Sequence, residues 1–155
     1  MKSYLQKHNN INYSDHWSTP IEIYDYYVKH LKYYDPCPLR ENNFNFNFIS
    51  ENIFLNPPYS DISKWIDWAI NNHKQTGGQI NTIILIPSRT DTRYFHKLLE
   101  YGCDLEFIKG RLKFGNAKQG APFPSVLVHL GLNNINGQPQ RRCENENNNK
   151  TSIQE

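Results

Sequence analysis

The four residues Asn56-Pro57-Pro58-Tyr59 carry the clearest chemistry in this chain. They directly follow the apolar run 53–55, which is typical of a short strand, and open α/β sheets bind ligands beyond the carboxyl ends of their strands. The side-chain oxygen of Asn56 and the main-chain oxygen of Pro57 are two acceptors that could bind both N–H bonds of one amino group. Two prolines stiffen the turn, so these acceptors would be held in place at low entropic cost.

An amino group on an aromatic base is a chemically suitable substrate for this turn. Such a group is a poor nucleophile because its lone pair is delocalised into the ring, and two acceptors would favour a pyramidal nitrogen. Tyr59 offers a ring on which a planar base can stack, which is worth about 1–3 kcal/mol per base. Direct attack on a methyl-sulfonium needs orientation but no covalent enzyme intermediate. The same four residues also fit a plain strand-to-helix turn, because Asn and Pro are turn residues.

Basic residues stand near the ends of two other predicted strands. They are Arg89, Arg93, Lys109, Arg111, Lys113 and Lys118. The last four surround Phe114, and basic side chains interleaved with an aromatic residue suit a nucleic-acid backbone beside a flipped base. A solvated surface would show the same charges. The formal net charge of +2 does not exclude nucleic acid, since a local basic patch suffices.

Length and composition limit the remaining possibilities. The 155 residues allow one domain, and with 14% aromatic residues much of its core must come from rings. No apolar run approaches the roughly 20 residues of a membrane helix, and the start lacks a signal peptide. The three Cys residues are far apart, so we expect neither a zinc site nor a disulfide framework, and a reducing compartment.

The polar composition of both ends predicts a flexible segment over 1–14 and a disordered Asn-rich tail over 133–155. The folded domain is then 15–132. Within it the patterns predict helices near 19–32, 61–73 and 90–100, and strands near 33–35, 44–48, 53–55, 80–86, 104–108 and 124–131. Thr19-Pro20-Ile21-Glu22 matches a capping box for the first helix. Strands that alternate with helices indicate an α/β sheet.

Five segments occur in an order that is specific when they are taken together. They are Asp15-His16-Trp17-Ser18-Thr19-Pro20, Asp35-Pro36-Cys37, Asn56-Pro57-Pro58-Tyr59-Ser60, the run 85–92 with Phe95-His96, and Gly110-Arg111-Leu112-Lys113-Phe114. Through them the chain resembles the small phage-type (Dam-like) DNA N6-adenine methyltransferases, which use S-adenosylmethionine. The resemblance implies a compact, trimmed Rossmann-like methyltransferase fold, with a mostly parallel sheet and an antiparallel C-terminal hairpin.

The resemblance also implies roles for individual residues. Methyl transfer to the N6 amino group of a flipped adenine would involve Asn56, Pro57, Pro58 and Tyr59. Binding of S-adenosylmethionine would involve Trp17, Thr19, Pro20, Asp35, Pro36, Cys37 and Asn56. DNA binding would involve Tyr59, Ser60, Arg89, Arg111, Lys113 and Phe114. Simpler roles stay open for three of these positions: a helix cap at Thr19, an X-Pro turn at Asp35 and a hairpin core residue at Phe114. No metal is implied.

The sequence departs from a full-size methyltransferase in three ways. No glycine-rich turn follows Asp35, and the stretch 38–55 is short for the strands and helices of a complete cofactor domain. Glu51 is the nearest acid for the cofactor's ribose. No segment remains for a separate target-recognition domain, so specificity would rest on loop contacts or a protein partner. We expect a cytoplasmic location in a bacterial or phage-infected cell, or a nuclear or organellar one in a eukaryote.

Two further functions fit the same residues. RNA adenine and the glutamine side chain of a protein each present a conjugated NH2 group, so either could be methylated at Asn56. Alternatively, the shortened 35–55 region suits a catalytically inactive nucleic-acid-binding or scaffold subunit. Cofactor binding separates this last possibility from the other two.

Overall fold

A computed structural model of the chain describes residues 17–38 and 46–131. The predictions for 1–14, for 133–155 and for the first part of 44–48 lie outside these residues. Helix α1 is α-helical over Ile21–Tyr24 and π-helical over Asp25–His30. Strand β1 (Ile53–Leu55) leads through a 3₁₀ turn (Tyr59–Asp61) into α2 (Ile62–Gln75). Strand β2 (Thr82–Pro87), α3 (Arg93–Tyr101), β3 (Asp104–Phe107) and β4 (Ser125–Leu130) follow.

The four strands form one open sheet in the order β1-β2-β4-β3. β1 pairs with β2 in parallel, and β4 pairs antiparallel with both β2 and β3. The antiparallel C-terminal hairpin is therefore confirmed. The predicted parallel majority is not, because β4 returns between β2 and β3 and makes both of its ladders antiparallel. Since β4 alone is reversed, β1, β2 and β3 still run in the same direction.

Two core clusters cover the two faces of this sheet, and they follow the period-two alternation of strand side chains. One face carries Leu55, Ile84 and Val128, which pack against α2 and α3. The other carries Phe54, Leu85 and Leu127, and the residues that pack on them come from α1 and from the chain between β3 and β4. All six residues of β2 are buried, as its uniformly apolar sequence predicted for a central strand.

The segment predicted as a strand over 44–48 is not a strand where it is described. The indole of Trp68 donates to the main-chain oxygen of Asn47 over 3.2 Å. The buried side chain of Asn72 bonds both the N–H and the carbonyl of Ile49, at 2.8 and 2.9 Å. These side chains of α2 satisfy backbone groups that a neighbouring strand would otherwise have satisfied. Over 46–48, the alternation of Phe residues therefore does not correspond to a paired strand.

Helix α1 also begins differently from the prediction. Its N-cap is Pro20, and no side chain caps it. Thr19 is half-buried, and its hydroxyl oxygen accepts from the side chain of Asn56 instead. The predicted strand at 33–35 is reduced to one parallel bridge between Tyr34 and Ile53. No helix within 17–38 and 46–131 is long and apolar enough to cross a membrane.

A buried histidine joins α2, α3 and the end of β4. His73 has 0% exposure, and its Nε2 lies 3.1 Å from the carbonyl oxygen of Gly131. Because that oxygen can only accept, Nε2 carries the proton and Nδ1 accepts from the Tyr101 hydroxyl over 2.6 Å. Burial lowers the pKa of His73. The ring is thus a neutral structural link.

Candidate active site

Three chain segments meet at one edge of the sheet, here called the carboxyl edge. β1 and β2 are parallel and both end there, and β4, which runs the other way, begins there. The turn at 56–59, the chain after Pro87 and the β3–β4 loop (108–124) therefore lie close to one another. The N–H of Ser88 donates to the carbonyl of Pro124 over 2.9 Å, which ties two of these segments together. Ligands of open α/β sheets bind at this kind of edge.

Asn56 is fixed at this edge by the segment that precedes α1. Its Nδ2 donates to the main-chain oxygen of Trp17 over 2.9 Å and to Oγ1 of Thr19 over 3.1 Å. Both N–H bonds of the amide are thus used. These contacts join residues nearly forty positions apart in sequence, and they bring Trp17, Thr19 and Asn56 to one site.

The other end of the Asn56 side chain is a buried acceptor. Oδ1 is shielded from solvent and has no hydrogen-bond partner within the described residues. Unpaired buried polar groups are uncommon in folded proteins, because each costs about 1–3 kcal/mol of desolvation. Such an oxygen at a ligand-binding edge fits a substrate that brings an N–H donor. Pro57, which follows it, is buried and half-buried Pro58 continues the turn.

Four aromatic rings pack together beside this oxygen, and we call them the aromatic cluster: Trp17, Tyr59, Phe114 and Phe123. Trp17 lies at its centre, with ring centroids 5.0 Å from both Phe114 and Phe123 and 6.4 Å from Tyr59. Phe123 was not singled out from the sequence. It stands between two prolines in a loop, where no periodicity marks it.

The predicted pair of base-stacking rings, Tyr59 and Phe114, is brought into direct contact. Their centroids are 6.4 Å apart and their planes meet at 89°, so Phe114 presents its edge to Tyr59. Phe114 is 5% exposed and belongs to the core cluster that also holds Phe54 and Leu85. A base could stack on Tyr59 from this arrangement only after the neighbouring rings have moved.

The electrostatic surroundings keep Tyr59 in its neutral form. Burial raises the pKa of its hydroxyl, nearby Tyr94 raises it further, and the positive charge of Arg89 opposes the shift. The hydroxyl oxygen is buried and has no hydrogen-bond partner among the residues described. Arg89, itself exposed, thus lies close enough to act on the same ring that was predicted to hold the base.

Asp35 follows Tyr34, which bridges in parallel to Ile53, the first residue of β1, so the chain from Asp35 runs toward the carboxyl edge. Its Oδ1 accepts the N–H of Cys37 over 2.9 Å. Burial raises the pKa of the carboxyl, and this hydrogen bond acts in the opposite direction. Burial also raises the pKa of the Cys37 thiol, to about 12. A largely buried carboxylate with one neutral partner fits a cationic ligand group such as an ammonium.

The predicted DNA-binding side chains lie around the same edge. Ser60, Arg89, Arg111 and Lys113 are all exposed. The N–H of Ala121 donates to the carbonyl of Leu112 and closes the base of the β3–β4 loop.

This loop contacts the segment that holds Asn56. The N–H of Gly115 donates to the carbonyl of Ser18 over 3.0 Å. Gly115 has φ +56°, and a Cβ there would lie 2.5 Å from the Ser18 hydroxyl oxygen. The positive φ favours glycine here, and any larger residue would also require the Ser18 hydroxyl to rotate away.

One other candidate, Glu51, lies away from this site. Glu51 is exposed and precedes β1, at the opposite end of the strand from Asn56. In the described parts of the chain, no three His, Cys, Asp or Glu residues are grouped so that they could hold a metal ion.

Comparison with known proteins identifies a family. A family model described as DNA N-6-adenine-methyltransferase (Dam) matches residues 6–153, which is nearly the whole chain. No curated protein and no solved structure gives a significant match.

Proposed function

The chain belongs to the DNA N-6-adenine-methyltransferase (Dam) family, and from that membership we propose that it transfers a methyl group from S-adenosylmethionine to the N6 amino group of adenine in DNA. The observation that carries this proposal is the buried, unpartnered Oδ1 of Asn56 at the carboxyl edge. An exocyclic amino group is the donor that would satisfy it.

The proposed role of Asn56 is to bind one N–H bond of the adenine amino group. The main-chain oxygen of Pro57 would bind the other. Two acceptors on one nitrogen favour a pyramidal geometry, which frees the lone pair that conjugation with the ring otherwise holds. The amide of Asn56 is fixed before the substrate arrives, so little reorganisation is needed during the reaction.

Trp17, Pro20 and the residues at 35–37 are proposed to hold the cofactor. S-adenosylmethionine would supply the methyl group on a positively charged sulfur. The buried carboxylate of Asp35 suits the ammonium group of its methionine end, since a cation would offset the desolvation that raises the pKa of this acid. The carboxyl edge, where Asn56 lies and toward which the chain from Asp35 runs, would then bring the methyl donor and the amino nitrogen together.

The target adenine is proposed to leave the base stack before it reacts. Asn56 Oδ1 is buried, so a base inside a duplex has no access to it. Tyr59 would stack on the extruded ring, and Arg89, Arg111 and Lys113 would bind the adjacent phosphates. Sequence preference would come from these loops or from a protein partner.

The direct test is methyl transfer from S-adenosylmethionine with a labelled methyl group to unmethylated DNA, followed by digestion to nucleosides. Single-stranded DNA, duplex DNA, RNA and unmethylated protein would be assayed in parallel. We expect the label in N6-methyldeoxyadenosine. Label in RNA or glutamine alone would replace the DNA proposal with one of those substrates. If no product is labelled and calorimetry detects no cofactor binding, the chain is a non-catalytic subunit.

A matched pair of variants links the activity to the site. Asn56→Ala removes the proposed acceptor. Asn52→Ala removes an amide just before β1, at the other end of the strand, whose Oδ1 accepts the N–H of Asn81 over 2.8 Å. Loss of label in the first variant and its retention in the second would assign the chemistry to the turn at 56–59.

A further inference from the structure

We infer that Thr19 is a positioning residue that, together with the main-chain oxygen of Trp17, holds the Asn56 amide in the rotation that turns its oxygen toward the substrate. This inference rests on the proposed function, in which Oδ1 of Asn56 binds the amino group. The sequence alone suggested a different role for Thr19, as a helix cap or a contact of the cofactor. Its observed partner is Asn56.

The two ends of an amide side chain have nearly the same shape, so hydrogen bonding must decide which end faces the substrate. The main-chain oxygen of Trp17 can only accept, and it lies 2.9 Å from one end of the Asn56 amide. That end is therefore the NH2 group. Oγ1 of Thr19, 3.1 Å away, takes the second N–H bond. A flipped amide would lose the bond to Trp17 and would place two carbonyl oxygens against each other, whereas the Thr19 hydroxyl, which can donate as well as accept, holds whichever amide end the Trp17 carbonyl selects.

Thr19 is suited to this task by its place in the chain. Pro20 begins α1 and its carbonyl accepts the N–H groups of Ile23 and Tyr24, which fixes the backbone just after Thr19. The helix does not use the threonine hydroxyl as a cap. A β-branched side chain also has restricted χ1 rotation, so Oγ1 stays in one position more firmly than the hydroxyl of serine would.

Positioning and cofactor binding predict different kinetic changes. If Thr19 orients Asn56, its loss reduces turnover but leaves the affinity for S-adenosylmethionine unchanged. If Thr19 instead binds the cofactor, its loss weakens that affinity and leaves turnover at saturation largely intact. The hydroxyl could still donate its own proton elsewhere, so the two roles must be separated by measurement.

The test compares Thr19→Val, which keeps the shape but removes the hydroxyl, with Thr19→Ser, which keeps the hydroxyl. Thr76→Val is the matched control, because the Thr76 hydroxyl donates to the carbonyl of His73 at the end of α2. For Thr19→Val we expect kcat to fall about tenfold, the effect of one net hydrogen bond, with an unchanged dissociation constant for S-adenosylmethionine. Thr19→Ser should restore most of the turnover, and Thr76→Val should leave it unchanged.

A second readout does not depend on activity. The side-chain ¹⁵N–¹H signals of Asn56, identified by their loss in Asn56→Ala, report both N–H bonds of the amide. In the wild type both should exchange slowly with solvent. Thr19→Val should accelerate the exchange of one of them, while Thr76→Val should not.

Each outcome separates this inference from the proposed function. Unchanged kcat in Thr19→Val, or weaker cofactor binding with unchanged kcat, would overturn the positioning role while the methyltransferase proposal stands. A wild type inactive on every substrate would count against the proposed function instead. In that case the exchange measurement still decides, since equal protection in wild type and Thr19→Val would contradict the orienting contact.

Discussion

Replacing Asn56 by alanine separates the chemistry of this residue from its part in the fold. The substitution removes two hydrogen bonds from Nδ2, of 2.9 and 3.1 Å, together with the buried oxygen. At a net value of about 0.5–1.5 kcal/mol per hydrogen bond, the free energy of unfolding should fall by about 1–3 kcal/mol. Domains have about 5–15 kcal/mol of stability, so the variant should remain folded.

The expected loss of activity is much larger than this loss of stability can explain. Removing one preorganised hydrogen-bonding group from an active site lowers kcat by about 10²–10³-fold, which corresponds to about 3–4 kcal/mol. Partial unfolding of a protein that keeps even about 3 kcal/mol of stability would reduce activity by about one per cent. Under the proposed function, a loss of this size would come from removing the acceptor of the amino group.

Chemical denaturation and the labelled-methyl assay would be measured on the same preparations. Asn52→Ala provides the control, since it also loses an amide hydrogen bond but lies at the other end of β1. It should lose stability and keep its turnover. Wild-type turnover in folded Asn56→Ala would refute the assignment of Oδ1 as the acceptor, and equal loss in both variants would attribute the effect to folding.

Further predictions concern groups at the site and in the core. Burial raises the pKa of Asp35, so its carboxyl stabilises the fold most at low pH and this contribution is lost as the pH rises through its folded pKa. Asp35→Asn should therefore gain stability relative to wild type between about pH 4 and 7 while binding S-adenosylmethionine more weakly; unchanged calorimetric affinity would remove Asp35 from the cofactor site. The pKa of His73 is lowered, so the pH dependence is reversed. Neutral His73 contributes fully to the free energy of unfolding above about pH 6.5, and denaturation experiments should show this contribution being lost as the pH falls. Tyr101→Phe, which removes the donor to His73, should cost about 1–3 kcal/mol at neutral pH, and a smaller effect would show that the link is weak. Phe114→Ala should lower the free energy of unfolding by about 3–5 kcal/mol because the ring is buried in the core. Tyr59→Ala and Phe114→Ala should both weaken binding of DNA that carries an unpaired adenine; a stability loss in Phe114→Ala with unchanged affinity would make this residue purely structural.

Local patterns predicted the elements that have strong hydrophobic signals. The uniformly apolar β2 and the 3.6-residue spacing of Trp65, Ile66 and Ala69 in α2 both appear as expected. The Phe residues of 44–48 show an equally regular spacing, but a strand also needs a partner, and the partner groups of Asn47 and Ile49 are side chains of α2. The hydrogen-bond partners of a backbone segment depend on the tertiary structure. The alternation of residues along the segment does not reveal them.

The direction of the sheet was also only partly predictable. Alternating strands and helices correctly indicated a crossover between β1 and β2, which are parallel. The same pattern gives no information on whether β4 adds beside β3 or inserts between β2 and β3. Insertion places β4 beside β2, so that the end of the β3–β4 loop lies next to the chain after Pro87, where Ser88 bonds Pro124. The sequence pattern left this adjacency open.

In the candidate site too, features set by neighbouring residues could be predicted, whereas contacts between residues distant in sequence could not. The turn at 56–59 was recognisable because a short apolar run precedes it. The contact of Thr19 was not recognisable, because its position before Pro20 satisfies the sequence rules for a helix cap. In the structure its hydroxyl instead accepts from Asn56, which is far away in sequence. A capping motif indicates that a side chain can accept from the first N–H groups of a helix. The tertiary structure determines which donor that side chain actually meets.

The aromatic cluster connects the proposed chemistry to a structural requirement. Trp17 contacts Phe114, Phe123 and Tyr59, and its own carbonyl holds Asn56. A base that stacks on Tyr59 must displace a neighbouring ring, and Phe114 is anchored in the core. Phe123, at a centroid distance of 5.6 Å from Tyr59 and only half-buried, is the ring that can be displaced at lower cost. Under the proposed function, entry of the base would therefore shift the end of the β3–β4 loop, while Trp17 keeps the Asn56 amide in place.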